Sequence, residues 1–152
     1  MIYAVCWLAQ DLLTVLTDGI MQIPELFLLS IVYGLLTDKM RDGIGAIWGA
    51  FFGGLLWDLR WVGMPGFFAL ANVCVVTGVI MFWNALPSSG RTAFVVFFVF
   101  WMSQLIPSAM YFALFVRAVN GARLFEMQQI CAVSLACLLA FCFARSKNGA
   151  NE

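Results

Sequence analysis

Apolar residues run along this chain in long blocks, and short polar clusters cut the blocks apart. The first block covers Met1 to about Thr17, with Gln10 and Asp11 near its middle, and ends at Asp18-Gly19. Gln22-Ile23-Pro24 reads as a turn. Pro24 followed by Glu25 opens a second block, about Glu25 to Thr37, because Pro suits a first helical turn and a carboxylate suits the positive end of the helix dipole. The charged cluster 38–43 then reads as a hairpin. A third block, about Ile44 to Trp57, stops at Asp58-Leu59-Arg60, and the turn Gly63-Met64-Pro65-Gly66 leads to a fourth, about Phe67 to Trp83. Asn84 to Arg91 is the longest polar break. The fifth block spans about Thr92 to Val116, a turn follows from Arg117 to Arg123, and the sixth runs from about Leu124 to Phe143. None of these blocks alternates apolar and polar residues as a membrane strand would, so each is predicted to be a helix. The expected architecture is an all-α bundle over residues 1–144, with a disordered polar tail at 145–152.

Composition says what surrounds those helices. Of 152 residues, 64% are hydrophobic and 11% are charged, with a mean hydropathy of +0.97. A short soluble chain cannot hide so much apolar surface, since small domains leave much of their surface wet. Hydrocarbon is the favourable solvent, and helices satisfy their own backbone groups there. Six membrane spans are expected. The second and third are near or below the roughly 20 residues needed to cross, so their ends extend into the charged turns and the bilayer thins locally. The first block lacks the basic start and small-residue cleavage site of a secretory signal and reads as a retained helix. Basic residues orient the bundle. With the N-terminus inside, Lys39, Arg41, Arg91, Arg145 and Lys147 lie inside, and Arg60, Arg117 and Arg123 outside. Both termini are therefore expected in the cytoplasm. Trp57, Trp61 and Trp83 fall at span ends, where an interfacial aromatic belt belongs.

Charge and chemistry exclude more than they suggest. Net charge is zero and basic runs are absent, so nothing draws the chain to nucleic acid. There is no His, and Cys6, Cys74, Cys131, Cys137 and Cys142 form no C-x-x-C pair; they read as small packing residues. No phosphate loop, zinc spacing or nucleophile-plus-base pair is present, so no cofactor, metal or catalysis is expected.

The remaining polar and small residues carry the candidates. Gly45, Gly49 and Gly53 recur every four residues on the third helix, with Gly54 beside them, which lets another backbone approach closely. Either a neighbouring helix of the same bundle or another protein's helix fits that face. Asp58, with Arg60 near it, reads as an ion pair pinning the outer loops or as a grip on a partner or substrate. Asp11 beside Gln10 reads as a structural polar contact or a binding group facing the bundle interior. Pro107 is expected to kink helix five at Ser103, with Ser103 and Gln104 satisfying what the kink frees, and such a kink can also make a small pocket. Asn72 and Thr77 read as interhelical hydrogen-bonding residues.

Three stretches share an order with a known family: Ile23-Pro24-Glu25-Leu26 ahead of helix two, Gly49 to Asp58 through the end of helix three, and Val62-Gly63-Met64-Pro65-Gly66-Phe67-Phe68-Ala69-Leu70 ahead of helix four. Together they resemble the rod shape-determining protein MreD, a bacterial inner-membrane family. Its members read Pro-Asp/Glu-Leu, Gly-x-x-x-Gly-Leu-x-x-Asp and Pro-Leu-Gly at those places. Here the middle run carries a second glycine and the last has Pro and Gly adjacent. The specific likeness covers about Pro24 to Leu70, and the last two helices add nothing diagnostic. It implies a non-catalytic scaffold of the cell-elongation (peptidoglycan-synthesis) machinery. Such a scaffold binds MreC, a single-span coiled-coil protein, and helps couple the MreB filament to the RodA glycosyltransferase and its transpeptidase partner. The family is also similar in fold to the substrate-binding subunits of energy-coupling-factor vitamin transporters. That leaves a small-molecule binding subunit as the alternative. An ion or proton pathway through Asp11, Asp58 and helix five would be interrupted by long apolar gaps.

Overall fold

A computed structural model describes residues 2–17, 22–37, 43–87, 90–115 and 121–149. The helices are α1 (Ile2–Leu16), α2 (Leu26–Leu36), α3 (Gly43–Trp57), α4 (Phe67–Ala85), α5 (Ala93–Phe115) and α6 (Gly121–Gly149), and no strand occurs among the described residues. The all-α expectation and the order of the six elements hold. The span count is coarser: α4, α5 and α6 are long and apolar enough to cross a membrane, while α1 and α2 are shorter apolar helices. At about 1.5 Å per residue α2 covers only about 16 Å, against a hydrocarbon thickness of about 30 Å.

Two ends differ from expectation. The third helix does not stop at Asp58. It continues as a π turn, Asp58–Val62, closed by the Gly63 N–H donating to Asp58 O at 2.9 Å. Gly63 (φ 68°) ends that turn in the left-handed region, and Gly66 (φ 103°) sets the start of α4; both conformations favour glycine. The sixth helix runs past Phe143 to Gly149, so the first five residues of the expected disordered tail are helical. The turns expected at Asp18-Gly19, 38–42 and Arg117–Asn120 lie outside the described residues, as do Lys39 and Arg41 of the orientation argument and residues 150–152.

The helices alternate in direction, as short connections require. Tyr3 of α1 meets Gly34 of α2 while Gln10 meets Phe27, so α1 and α2 run antiparallel. Gly54 meets Ala69 and Gly43 meets Ile80, so α3 and α4 do too. Helix α2 sits at the centre, against α1, α3, α4 and α5. Seven of its eleven residues are buried, including Leu28, Ile31 and Val32. The core joins these to Val76, Val96, Phe100 and Ala136. The outer surface is apolar in turn: Ile2, Trp48, Leu70, Met81, Phe94, Ile130 and Phe141 are all more than half exposed. Buried polar residues inside an apolar outer skin are the reverse of a water-soluble domain.

The glycine face of α3 divides its work. A Cβ on Gly54 would lie 2.7 Å from Cα and N of Ala69, so glycine is what lets α3 and α4 close together. A Cβ on Gly53 would collide with the ring of Phe27 from α2. Gly49 has ordinary contact with Ile31, at 3.8 Å, and Gly45 meets nothing within 4 Å. The four glycines therefore do not form one packing seam. Gly54→Ala is expected to cost about 1–3 kcal/mol through overpacking, and Gly45→Ala no more than about 0.5 kcal/mol. Thermal melts in detergent check this, and equal melting of the two variants would contradict the division.

Candidate functional site

The unusual feature is where the connector between α1 and α2 goes. Pro24 and Glu25 are buried, and the connector lies beside the middle of α5 rather than at the end of the bundle. Peptide groups there have no water, so each needs a protein partner. Three glutamines from three helices supply them. Gln104 of α5 accepts from the Glu25 N–H through Oε1 (2.7 Å) and donates from Nε2 to the Glu25 carbonyl (2.9 Å). Gln10 of α1 accepts from the Phe27 N–H (2.9 Å), one of the free donors at the start of α2. Gln128 of α6 donates to the Ile23 carbonyl (3.2 Å). Pro24 has no N–H and so removes one donor that would need a partner. Gln10, Gln104 and Gln128 are themselves buried, at 4%, 0% and 2% exposure. Of the three, the sequence alone marks only Gln10 as a polar contact; it places Gln104 with the proline kink and gives Gln128 no role. The signal was available as a lone amide in an otherwise apolar run, which is costly in hydrocarbon without a partner.

Asp58 has a structural partner set of a different kind from the ion pair expected. It is fully buried and its carboxylate collects three backbone amides at the start of α4: Gly66 (3.0 Å), Phe68 (2.9 Å) and Ala69 (3.1 Å). A carboxylate here meets the positive end of the α4 dipole and satisfies donors that lack partners. Arg60 pairs instead with Asp11, Nε to Oδ1 at 2.6 Å, and Trp61 Nε1 donates to the same oxygen at 2.9 Å. Half-exposed Arg60 adds little stability by itself, but Asp11 is thereby a tie between α1 and the π turn. Trp7 adds a second tie, donating from Nε1 to the Gly53 carbonyl at 3.1 Å.

The polar residues near Pro107 have partners other than those expected. Helix α5 continues through buried Pro107. Ser103 donates to the Val99 carbonyl of its own helix (2.7 Å), and Gln104 is committed to Glu25, so neither serves the carbonyl that Pro107 leaves free. Asn72 makes no interhelical bond among the described residues, where its Oδ1 is buried without a partner. Of the tryptophans placed in an interfacial belt, Trp83 is buried against Phe143. No cysteine forms a disulfide among the described residues, and Cys74, Cys137 and Cys142 lie on the outer surface rather than in the packing.

Two apolar grooves open on the bundle surface. One, about 270 Å³, lies between α4 and α5 along Gly78, Phe82, Phe98 and Met102. The larger, about 410 Å³, lies between α1 and α3, walled by Trp7, Leu8 and Leu56 and floored by Phe27, Ile31 and Gly49. No family model, curated protein or solved structure matches this chain.

The connector contacts set the chemistry of the site: buried amides hold a backbone, and neither groove has a polar lining to match. Gln104→Leu leaves the Glu25 N–H without an acceptor and is expected to destabilise by about 1–3 kcal/mol. Ser103→Ala removes only a bond within its own helix and should cost less than about 1 kcal/mol. Unfolding of both variants in detergent checks the order, and equal losses would contradict it.

Proposed function

We propose that the chain is a non-catalytic membrane scaffold of the bacterial cell-elongation machinery, with six helices in the inner membrane, both termini cytoplasmic, and an MreC-like single-span protein as its partner. The family likeness at Pro24, at Gly49 to Asp58 and at Met64-Pro65-Gly66 supplies the identity of the machinery. The observation that carries the reading is the open groove between α1 and α3. Gly49 lines it with only loose contact inside the bundle, and Gly45, one turn away, meets nothing. Small residues with little or no contact inside their own chain leave room for a second backbone, and close approach is what drives helix association in lipid.

Under this reading the other glycines and acids are internal. Gly53 and Gly54 close α3 onto α2 and α4, Asp58 starts α4, and Asp11 with Arg60 ties α1 to the π turn. They hold the groove in shape, and of them Gly53 also lines it. RodA and its transpeptidase are reached through the same assembly.

Co-expression with the single-span partner and purification in mild detergent tests this. Gly45→Leu and Gly49→Leu are each expected to leave the scaffold folded and to reduce co-purified partner by roughly tenfold, equivalent to about 1.4 kcal/mol. Undiminished recovery with both variants would remove the groove from the interaction. Recovery of an ATPase module and a bound vitamin instead would replace the scaffold with a transporter subunit.

A further inference from the structure

The glutamines that hold the backbone of Glu25 leave its carboxyl over. The residue is 7% exposed, and no hydrogen bond or ion pair reaches its side chain among the described residues. Glu25 lines a small, partly open cavity of about 10 Å³, room for one water-sized occupant. Asn72 of α4 borders the same cavity, is 3% exposed, and has an Oδ1 with no donor. Trp7, Phe27, Trp57 and Phe68 make the apolar walls. Gln10 also lines it, but its Oε1 is occupied by the Phe27 N–H.

Two residues that line one small cavity thus carry acceptors that no donor reaches among the described residues. The charged groups nearby make matters worse for an anion. Asp58 acts on Glu25 with a second negative charge, and Arg60 is committed to Asp11. From α5 and α6 the connector meets neutral amides, Gln104 and Gln128. A buried carboxylate without a counter-charge is among the most costly arrangements a protein can hold. One positive species in the cavity removes both defects at once.

We propose that Glu25 and Asn72 form a binding site for one monovalent cation: a proton carried on Glu25 and shared with Asn72 Oδ1, or Na⁺ ligated by both side chains. The site is independent of the partner groove and of the scaffold reading. It places a cation under the connector, where occupancy governs how firmly α2 starts.

The test is the melting temperature of the full chain in detergent, across pH, in sodium chloride or in N-methylglucamine chloride of equal ionic strength. Anything that binds the folded form alone raises its stability. A rise with Na⁺ identifies the metal ion. A rise as pH falls, without Na⁺, identifies the proton. Glu25→Gln keeps the shape, carries no charge and can donate to Asn72, so it is expected to fold and to lose whichever response the wild type shows. Identical responses in wild type and Glu25→Gln overturn the site. Should that variant fail to fold, infrared spectra of the wild type decide. A carboxylic-acid band at neutral pH, or a carboxylate band that shifts with Na⁺ and not with N-methylglucamine, supports the site. A carboxylate band indifferent to Na⁺ and pH overturns it.

Discussion

Peptide groups without water must find partners in the protein, and this bundle places a non-helical connector where water is absent. That constraint explains the buried polar residues better than any chemistry they could perform. Gln104 reads both polar groups of Glu25, Gln10 takes the Phe27 amide, and Gln128 takes the Ile23 carbonyl. Each amide side chain costs desolvation in an apolar helix, and each recovers it only in register with the connector. The network therefore selects one arrangement of α1, α2, α5 and α6 among the many that greasy helices could adopt, since apolar faces alone discriminate weakly in lipid.

The rest of the architecture follows from the short α2. Helix α2 has eleven residues, short against the full thickness of hydrocarbon, and longer neighbours cover its sides. Helices α3 and α4 close over it through Gly54 against the Ala69 backbone, and Phe27 fits against Gly53. Asp58 then fixes where α4 begins, gathering three amides that the turn leaves unpaired. On the opposite side α1 is held at its polar residues, by Trp7 to Gly53 and by Asp11 to Arg60 and Trp61. Between those ties and α2, α1 and α3 stand apart and the groove at Gly49 remains.

Much of this was legible along the chain, and the misses share a cause. Block length and turn residues place all six helices to within a few positions except at the end of α6, which runs on to Gly149, because apolar runs and Gly/Pro punctuation are local signals. Asp58, Asp11, Arg60 and Gln10 were visible as polar residues in costly surroundings, but their partners were not. Asp58 goes to the backbone of α4 and Arg60 to Asp11 on α1, because pairing depends on how helices stack. The glycine spacing marked a face, yet only packing shows that Gly54 is closed and Gly45 open. Gln128 looked like one more residue of an apolar helix, and the π turn leaves no mark that spacing could reveal. The likeness to MreD speaks to the same region, Pro24 to Leu70, and supplies the proposed partner.

Hydrogen exchange at single amides, on the protein in detergent or lipid, measures the buried connector most directly. The account predicts that the amides of Glu25 and Phe27 exchange as slowly as those inside α2, because Gln104 and Gln10 hold them away from water. Exchange at those two positions as fast as at Met64, exposed in the turn ahead of α4, would show a connector exposed to solvent, and the glutamine network would not be what holds the bundle together.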